Sequence, residues 1–204
     1  MSAIRRMMMA RRGDDIPYQE IEYLETEGNA YINTKIVSGA NDIIRAAGLA
    51  GFNTSSTSRR FIICLSSISN NFYCEFNASD KFAVGSSAVI DKTLSASTMY
   101  NISLTIERNV KTSISLTSNG ETSTAETSQY MSGSSNLPIW LFRLSSGYKG
   151  IGQRIGRLKI WQNNVLVRDL IPVRVGTTGY MYDKVSGQLF GNAGTGDFIL
   201  GNDI

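Results

Sequence analysis

Three glutamates near the beginning of the sequence have the spacing that acid–base chemistry on a strand would need. Glu20, Glu22 and Glu25 lie in the string EIEYLE, and alternate residues of a β-strand point to the same face of a sheet. Two carboxylates about 5 Å apart can act as nucleophile and acid in a retaining glycosidase. Alternating glutamates are more common on the solvent-exposed face of a strand, so the string favours a structural strand, with a glycanase as the alternative.

The sequence contains no histidine, which excludes several kinds of catalytic or regulatory site. Ser-His-Asp and Cys-His nucleophiles, histidine-ligated zinc and histidine pH switches all need an imidazole. Two cysteines, Cys64 and Cys74, fall on adjacent predicted strands and could either form a disulfide or remain free, buried side chains. Two thiols alone lack the remaining ligands of a metal centre. We therefore expect no metal and no cofactor.

Five aromatic residues of the second half of the chain are candidates for stacking on sugar rings: Trp140, Tyr148, Trp161, Tyr180 and Tyr182. Core packing is the ordinary role of such side chains. Trp161 follows the apolar Ile160 in a predicted strand, so alternation turns it outward. The sequence predicts a glycan-binding or partner-binding surface at Trp161, Tyr148 and Tyr182.

Basic charge is concentrated at the start of the chain. The first twelve residues hold four arginines and no acidic residue, whereas the rest of the chain holds 16 basic residues against 17 acidic ones. Residues 1–15 are either a disordered terminus or an arm that docks onto another protein through adaptable methionines and arginines. The docking residues would be Arg5, Arg6, Met7, Met8, Met9, Arg11 and Arg12.

The remaining residues, 16–204, have the size of one globular domain. No apolar run approaches the roughly 18–20 residues that cross a bilayer, and the basic start lacks the continuous apolar stretch of a secretory signal. Four arginines without a wider basic face make a small footprint for nucleic acid. We therefore expect a soluble protein without an export signal, and neither nucleic acid nor membrane as a partner.

Strict alternation of apolar and polar residues predicts strands through most of the domain. Residues 98–118 are predicted to form an antiparallel hairpin, and residues 155–170 a second one around a turn at 162–164. The string at 21–24 is predicted as another strand, and the Ser/Thr-rich stretch 118–136 as an exposed loop or edge element. No long amphipathic helix is present. The pattern predicts an all-β, two-sheet antiparallel sandwich or jelly roll.

Both ends of the domain resemble a known family. The segments that carry the likeness are residues 21–26, 30–34, 155–161, 166–174, 179–187 and 190–198. They are similar to the opening and closing strands of concanavalin A-like, laminin-G-like domains found in bacteriophage structural proteins and in surface proteins of gut bacteria. The resemblance implies a jelly roll whose first and last strands meet, and it implies that the glutamate string is structural.

The resemblance, the basic arm and the lack of an export signal together lead us to expect a non-enzymatic bacteriophage virion protein. It would be a head fibre, a capsid decoration or a tail-associated module, assembled in the host cytoplasm and docked to other virion proteins by residues 1–15. A repeated appendage of this kind is expected to be a homo-oligomer, and its exposed face could contact glycans. The alternatives are a glycan-binding module of a bacterial surface protein and a jelly-roll glycanase.

Overall fold

The computed structural model describes residues 16–53, 60–66, 71–77, 79, 81–84, 88–90, 94–95, 98–108, 110–128, 136–145, 148–149 and 152–204. None of these residues forms a helix, so the described part of the chain has none that could cross a membrane. The docking arm predicted at 1–15 lies outside the described residues. In chain order the strands are β1 (Gln19–Glu20), β2 (Leu24–Thr26), β3 (Ile32–Ser38), β4 (Ile43–Asn53), β5 (Arg60–Ser66), β6 (Asn71–Phe76), β7 (Phe82–Val84), β8 (Ala88–Val89), β9 (Thr98–Glu107), β10 (Lys111–Ser118), β11 (Glu121–Thr127), β12 (Leu137–Leu141), β13 (Arg143–Ser145), β14 (Tyr148–Lys149), β15 (Gln153–Ile155), β16 (Leu158–Gln162), β17 (Val165–Val175), β18 (Thr178–Asp183), β19 (Gln188–Phe190) and β20 (Phe198–Leu200).

The strands pack as two antiparallel sheets around one apolar core. The larger sheet has the order β11-β10-β9-β4-β16-β17-β18-β19, and β1, β2, β15 and β20 join it beside this path. The smaller sheet has the order β3-β12-β5-β6-β7-β8. Alternate apolar residues of both sheets fill the space between them, and Phe76, Phe82 and Phe142 are the largest of the fully buried side chains. The predicted two-sheet sandwich is confirmed.

Both predicted hairpins are present because their alternation places one apolar face against the core. β9 and β10 pair in register from Glu107 and Lys111 outward. β16 and β17 pair around a turn at Asn163 and Asn164, whose φ angles of 51° and 66° suit a tight hairpin turn. The stretch predicted as a loop or edge element contributes β11, the edge strand of the larger sheet.

The two ends of the domain meet, as the resemblance implied. β2 pairs with β20 in antiparallel register, and Leu24 lies opposite Leu200. The predicted strand at 21–24 is wrong, however, because the chain changes partners there. The amide of Ile21 donates to Pro172 O beside β17, and the amide of Glu22 donates to Asn202 O near the C-terminus. Two short strands, β1 and β2, therefore replace one continuous strand.

The cysteines are free, which resolves the alternative that the sequence left open. Cys64 lies opposite Tyr73, and Cys74 lies opposite Ile63, so the two cysteines miss direct pairing by one residue. A shift of one residue moves a side chain to the opposite face of a sheet. Cys74 accordingly belongs to the main core, whereas Cys64 packs with Leu144 on the outer face of the smaller sheet. Burial raises the pKa of the Cys64 thiol well above its usual value.

Candidate functional site

An irregularity in β4 opens a recess in the outer face of the larger sheet. The register between β4 and β9 shifts between Ala46 and Leu49, and Gly48 within this bulge has a φ of 67°. A Cβ atom on Gly48 would meet no heavy atom within 4 Å. A bulge with glycine in the left-handed region bends the strand and leaves the surface beside it open.

The recess next to this bulge is a cleft of about 290 Å³, which we call the Trp161 cleft. Its lining combines one indole, apolar side chains and charged groups. The lining residues are Ile16, Ala47, Gly48, Arg157, Leu158, Lys159, Trp161, Asp169, Ile171 and Lys184. An apolar surface with a few polar groups is the usual make-up of a ligand pocket.

Alternation along β16 places Trp161 in this cleft. Ile160 is fully buried in the core, so its neighbour Trp161 faces outward as predicted. The guanidinium carbon of Arg45, from the adjacent β4, lies 5.2 Å from the centre of the indole ring. Arg45 does not line the cleft, so it supports the indole from outside. Among the described residues the indole N–H has no hydrogen-bond partner, and it is free to donate to a ligand.

Two strands present a charged pair at one wall of the cleft. Lys159 on β16 lies opposite Asp169 on β17, and Lys159 Nζ is 3.5 Å from Asp169 Oδ2. The backbone of Asp169 is itself fixed, because its amide donates to Asp183 Oδ1 over 2.8 Å and its carbonyl accepts from Lys184 N over 2.8 Å. The wall is thus held by β17 and β18 together.

Asp183 is fully buried and organises the turn that follows β18. Its carboxylate accepts hydrogen bonds from the amides of Val185 and Ser186 and from the Ser186 hydroxyl. The guanidinium of Arg168 lies 3.6 Å from the same carboxylate and donates to Thr34 O of the smaller sheet. Asp183 thus fixes this turn and, through Arg168, ties the two sheets together below the cleft.

The floor of the cleft is apolar because the start of the described chain folds over β17. Ile171 is only 2% exposed although it lies outside the main core. Ile16 lines the cleft beside it, and Tyr18 packs edge-on against Tyr182 with ring centres 5.4 Å apart. The described part of the chain thus begins at the cleft.

The hairpin that carries Trp161 is anchored at its turn by Asp42. The carboxylate of Asp42 accepts from the side chains of Gln162 and Asn163 and, over 2.7 Å, from the amide of Gly39. Burial would raise the pKa of Asp42, but these hydrogen bonds and the nearby Arg108 outweigh it, so the pKa lies below its usual value. The anionic form of Asp42 therefore stabilises the folded state.

The structure separates the three aromatic residues that the sequence proposed as one surface. Trp161 lines the cleft, and Tyr182 lies two strands away, opposite Ile171. Tyr148 is in β14, which pairs with β13 in a separate two-stranded sheet. This small sheet packs against β5 and β6 of the smaller sheet, so Tyr148 does not belong with Trp161.

Sequence reasoning missed the polar and apolar partners of Trp161. The pairing of Lys159 with Asp169 could not be obtained by counting from the predicted turn, because the register between β16 and β17 shifts by one residue between Ile160 and Trp161. Ile16 and Gly48 gave no local signal, since a chain crossing and a strand bulge depend on distant residues.

Each of the three early glutamates has its own partner. Glu20 pairs with Arg157, and Glu25 Oε2 lies 2.6 Å from Arg154 Nε. Glu22 Oε2 accepts from the side chain of Asn202 over 3.1 Å. The two arginine contacts tie β1 and β2 to β15 and the link that follows it, and the asparagine contact joins the chain before β2 to the segment after β20. In the described part of the chain, no cluster of three or more acidic or cysteine side chains could hold a metal ion.

Comparisons with protein-family models and with curated proteins found no match. Among solved structures, a protein from Bacteroides ovatus provisionally described as carbohydrate binding superposes with a TM-score of 0.57 at 14% identity, over 91% of this chain and 62% of that one. This chain thus spans about three fifths of the length of that protein.

Two further solved structures match less well. The LG1-3 region of the laminin alpha2 chain gives a TM-score of 0.48 at 14% identity, over 92% of this chain and 37% of that one. The enzymatically active domain of tailspike protein 2 from bacteriophage CBA120 gives 0.46 at 11% identity, over 76% and 30%. With the sheet order described above, the predicted two-sheet antiparallel jelly-roll sandwich is confirmed, and the Bacteroides ovatus protein shares this fold.

Proposed function

We propose that this chain is a carbohydrate-binding module and that its ligand stacks on Trp161. The observation that carries the proposal is the Trp161 cleft, where an outward indole adjoins an apolar floor and a charged wall. The likeness in fold to a protein provisionally described as carbohydrate binding supports it.

The chemistry of the cleft suits a sugar. One face of a pyranose ring carries C–H groups that pack on an aromatic ring, while hydroxyl groups surround its edge. Lys159 can donate to such hydroxyls and Asp169 can accept from them, and the indole N–H supplies a further donor. Ile171 and Ile16 bury the apolar part of the ligand. The cleft thus offers every kind of contact that orients a sugar ring.

The module is proposed to bind without cleaving. A retaining glycosidase needs two carboxylates facing the same bond about 5 Å apart, whereas Glu20 and Glu25 are engaged by separate arginines. We expect no release of reducing ends from polysaccharides. Cleavage that disappears in both Glu20→Gln and Glu25→Gln would overturn this part of the proposal and favour the glycanase.

A broad glycan array followed by calorimetry tests the binding site. We expect saturable binding that falls by at least about tenfold in Trp161→Ala, because a central aromatic contact usually dominates binding energy. Tyr180→Ala is the matched control, since Tyr180 is an aromatic residue of the same outer face that does not line the cleft. Absence of binding to any glycan, or equal loss in both variants, would overturn the proposal.

A second proposal concerns where the module is displayed. The four arginines and three consecutive methionines of residues 5–12, with the resemblance to phage structural domains, support a homo-oligomeric virion protein docked to a neighbouring particle protein. Quantitative mass spectrometry of density-purified particles would then give a fixed copy number per major capsid protein. Deletion of residues 1–15 would reduce incorporation sharply, and full incorporation of the deletion variant would overturn the docking role.

A further inference from the structure

A second recess adjoins the Trp161 cleft on the same outer face. It measures about 510 Å³ and lies where β9 and β10 end beside the link between β15 and β16. Its lining residues are Glu22, Gly48, Thr98, Tyr100, Asn101, Thr117, Ser118, Asn119, Gly156 and Arg157. Gly48 and Arg157 line both recesses, so the two recesses are continuous. We call the second one the Asn101 recess.

Two asparagine side chains in the lining of the Asn101 recess are positioned to meet a ligand. Asn101 is exposed on the outer face of β9, and Asn119 is exposed in the turn between β10 and β11. Within the described residues neither side chain has a hydrogen-bond partner. Thr117 and Thr122 hydroxyls bond to each other over 2.8 Å. Side-chain amides can donate and accept at once, which matches paired sugar hydroxyls.

We propose that the two recesses form one groove for an extended oligosaccharide, with one unit on Trp161 and later units reaching Asn101 and Asn119. This inference rests on the proposed carbohydrate-binding function and specifies its ligand as a chain rather than a single sugar. The groove crosses four adjacent strands, β16, β4, β9 and β10. Three spacings between strands amount to about 14 Å, which is longer than one pyranose ring.

The passage between the two recesses depends on Gly48. Because Gly48 has no side chain and its missing Cβ would face open space, a ligand can cross β4 without obstruction. Arg157 stands beside the passage with its side chain 65% exposed, and Glu20 holds it in place. The guanidinium can therefore donate to a ligand unit at the crossing point.

The volumes of the two recesses also favour an oligosaccharide over a single sugar. Pockets for small ligands typically measure roughly 300–1,000 Å³, and the Trp161 cleft alone is at the lower limit of that range. A single sugar bound there would leave the larger Asn101 recess unused. A chain that fills both recesses gains contacts with each added unit until the groove is occupied.

The test measures affinity against ligand length by calorimetry. The probes are the mono-, di-, tetra- and hexasaccharide of the polysaccharide that binds best on the glycan array. We expect affinity to rise with length and then level off. Asn101→Ala should weaken the tetrasaccharide by about tenfold and leave the monosaccharide unchanged, whereas Trp161→Ala should weaken both. Thr105→Ala, on the outer face of β9 but outside the groove, is the matched control.

A second variant tests the passage itself. Gly48→Asn keeps a residue type that tolerates the left-handed backbone and adds a side chain at the crossing. It should remove the affinity advantage of the tetra- and hexasaccharide over the monosaccharide. Because Gly48 also lines the Trp161 cleft, the readout is the ratio of the affinities for the long and short ligands. If wild-type affinity does not change with length, or if Asn101→Ala binds the tetrasaccharide as wild type does, the groove is overturned although the carbohydrate-binding function stands. If no glycan binds, the proposed function and the groove fall together.

Discussion

The two tryptophans face outward from different sheets of the sandwich and have different surroundings. Trp140 faces outward from β12 of the smaller sheet, and its ring centre lies 5.2 Å from that of Tyr31. The guanidinium carbon of Arg143 lies 4.9 Å from the centre of the Tyr31 ring. The indole N–H of Trp140 is buried and has no hydrogen-bond partner among the residues that the structure describes. Trp161 faces outward from β16 and lines an open cleft.

The different surroundings of the two tryptophans follow from the chain segments that lie on the outer face of each sheet. The chain turns at Phe142, whose φ is 71°, and β13 then contacts β5 and β6, with its Leu144 packed against Cys64 on the outer face of the smaller sheet. On the larger sheet the bulge at Gly48 leaves the corresponding space open. Outward alternation therefore does not by itself make an aromatic residue a binding residue. The covering segment decides whether the ring packs internally or meets a ligand.

The largest expected effect comes from removing the carboxylate of Asp183, which supports the wall of the Trp161 cleft. Asp183→Ala leaves Arg168 without its buried partner and deprives the amide of Asp169 of its acceptor. Breaking a buried ion pair on one side destabilises by about 3–5 kcal/mol. Urea unfolding followed by circular dichroism measures the free energy of unfolding. Asp197→Ala, in an exposed turn, should change it by less than about 0.5 kcal/mol, and an equal loss in both variants would contradict the role of Asp183.

The next effect compares the tryptophans directly. Trp140→Ala should lower the free energy of unfolding by about 3 kcal/mol, because it removes a packed aromatic side chain. Trp161→Ala should lower it by about 1 kcal/mol or less, since the main loss is the contact with Arg45. The same unfolding experiment measures both. Equal destabilisation would show that Trp161 is as much a packing residue as Trp140, and would remove the contrast.

The parts of this comparison that the sequence predicts are the local ones. Alternation around Ile160 predicts the outward direction of Trp161 and the hairpin that carries it, because the pairing partners are only a few residues apart. The sequence also predicts that the domain ends meet, through the resemblance of its first and last strands. The direction of Trp161 depends on neighbouring residues. The meeting of the domain ends follows from the likeness of whole segments to the strands of a known family.

Features that depend on distant segments could not be predicted. The chain leaves the smaller sheet at Phe142, between β12 and β13. Tyr148 consequently lies in another sheet than Trp161. In each case the backbone follows contacts made by residues far away in the sequence.

A smaller effect concerns the segment that borders the cleft. Ile16→Ala removes part of the apolar lining beside Ile171, and the loss of about 1 kcal/mol of apolar contact should weaken glycan binding roughly fivefold. Deletion of residues 1–15 should leave affinity within about twofold, because the lining begins at Ile16. Calorimetry with the best array ligand measures both. Strong loss on deletion of 1–15 would make the arm part of the binding site.

The smallest expected effect is a pH dependence of thermal stability, caused by Asp42 at the turn of the hairpin that carries Trp161. The pKa of Asp42 is lowered in the folded state, so the folded protein binds fewer protons there than the unfolded chain. The stabilisation is complete above the usual carboxyl pKa of about 4 and is lost as pH falls through the lower, folded-state pKa. Asp42→Asn should therefore reduce Tm by about 2 °C at pH 6, with a gap that narrows toward pH 3 in thermal scans. Asp197→Asn should show no such gap. A constant gap across this range would mean that the charge of Asp42 does not contribute, and that the hairpin bearing Trp161 is held by the neutral contacts of Gln162 and Asn163 alone.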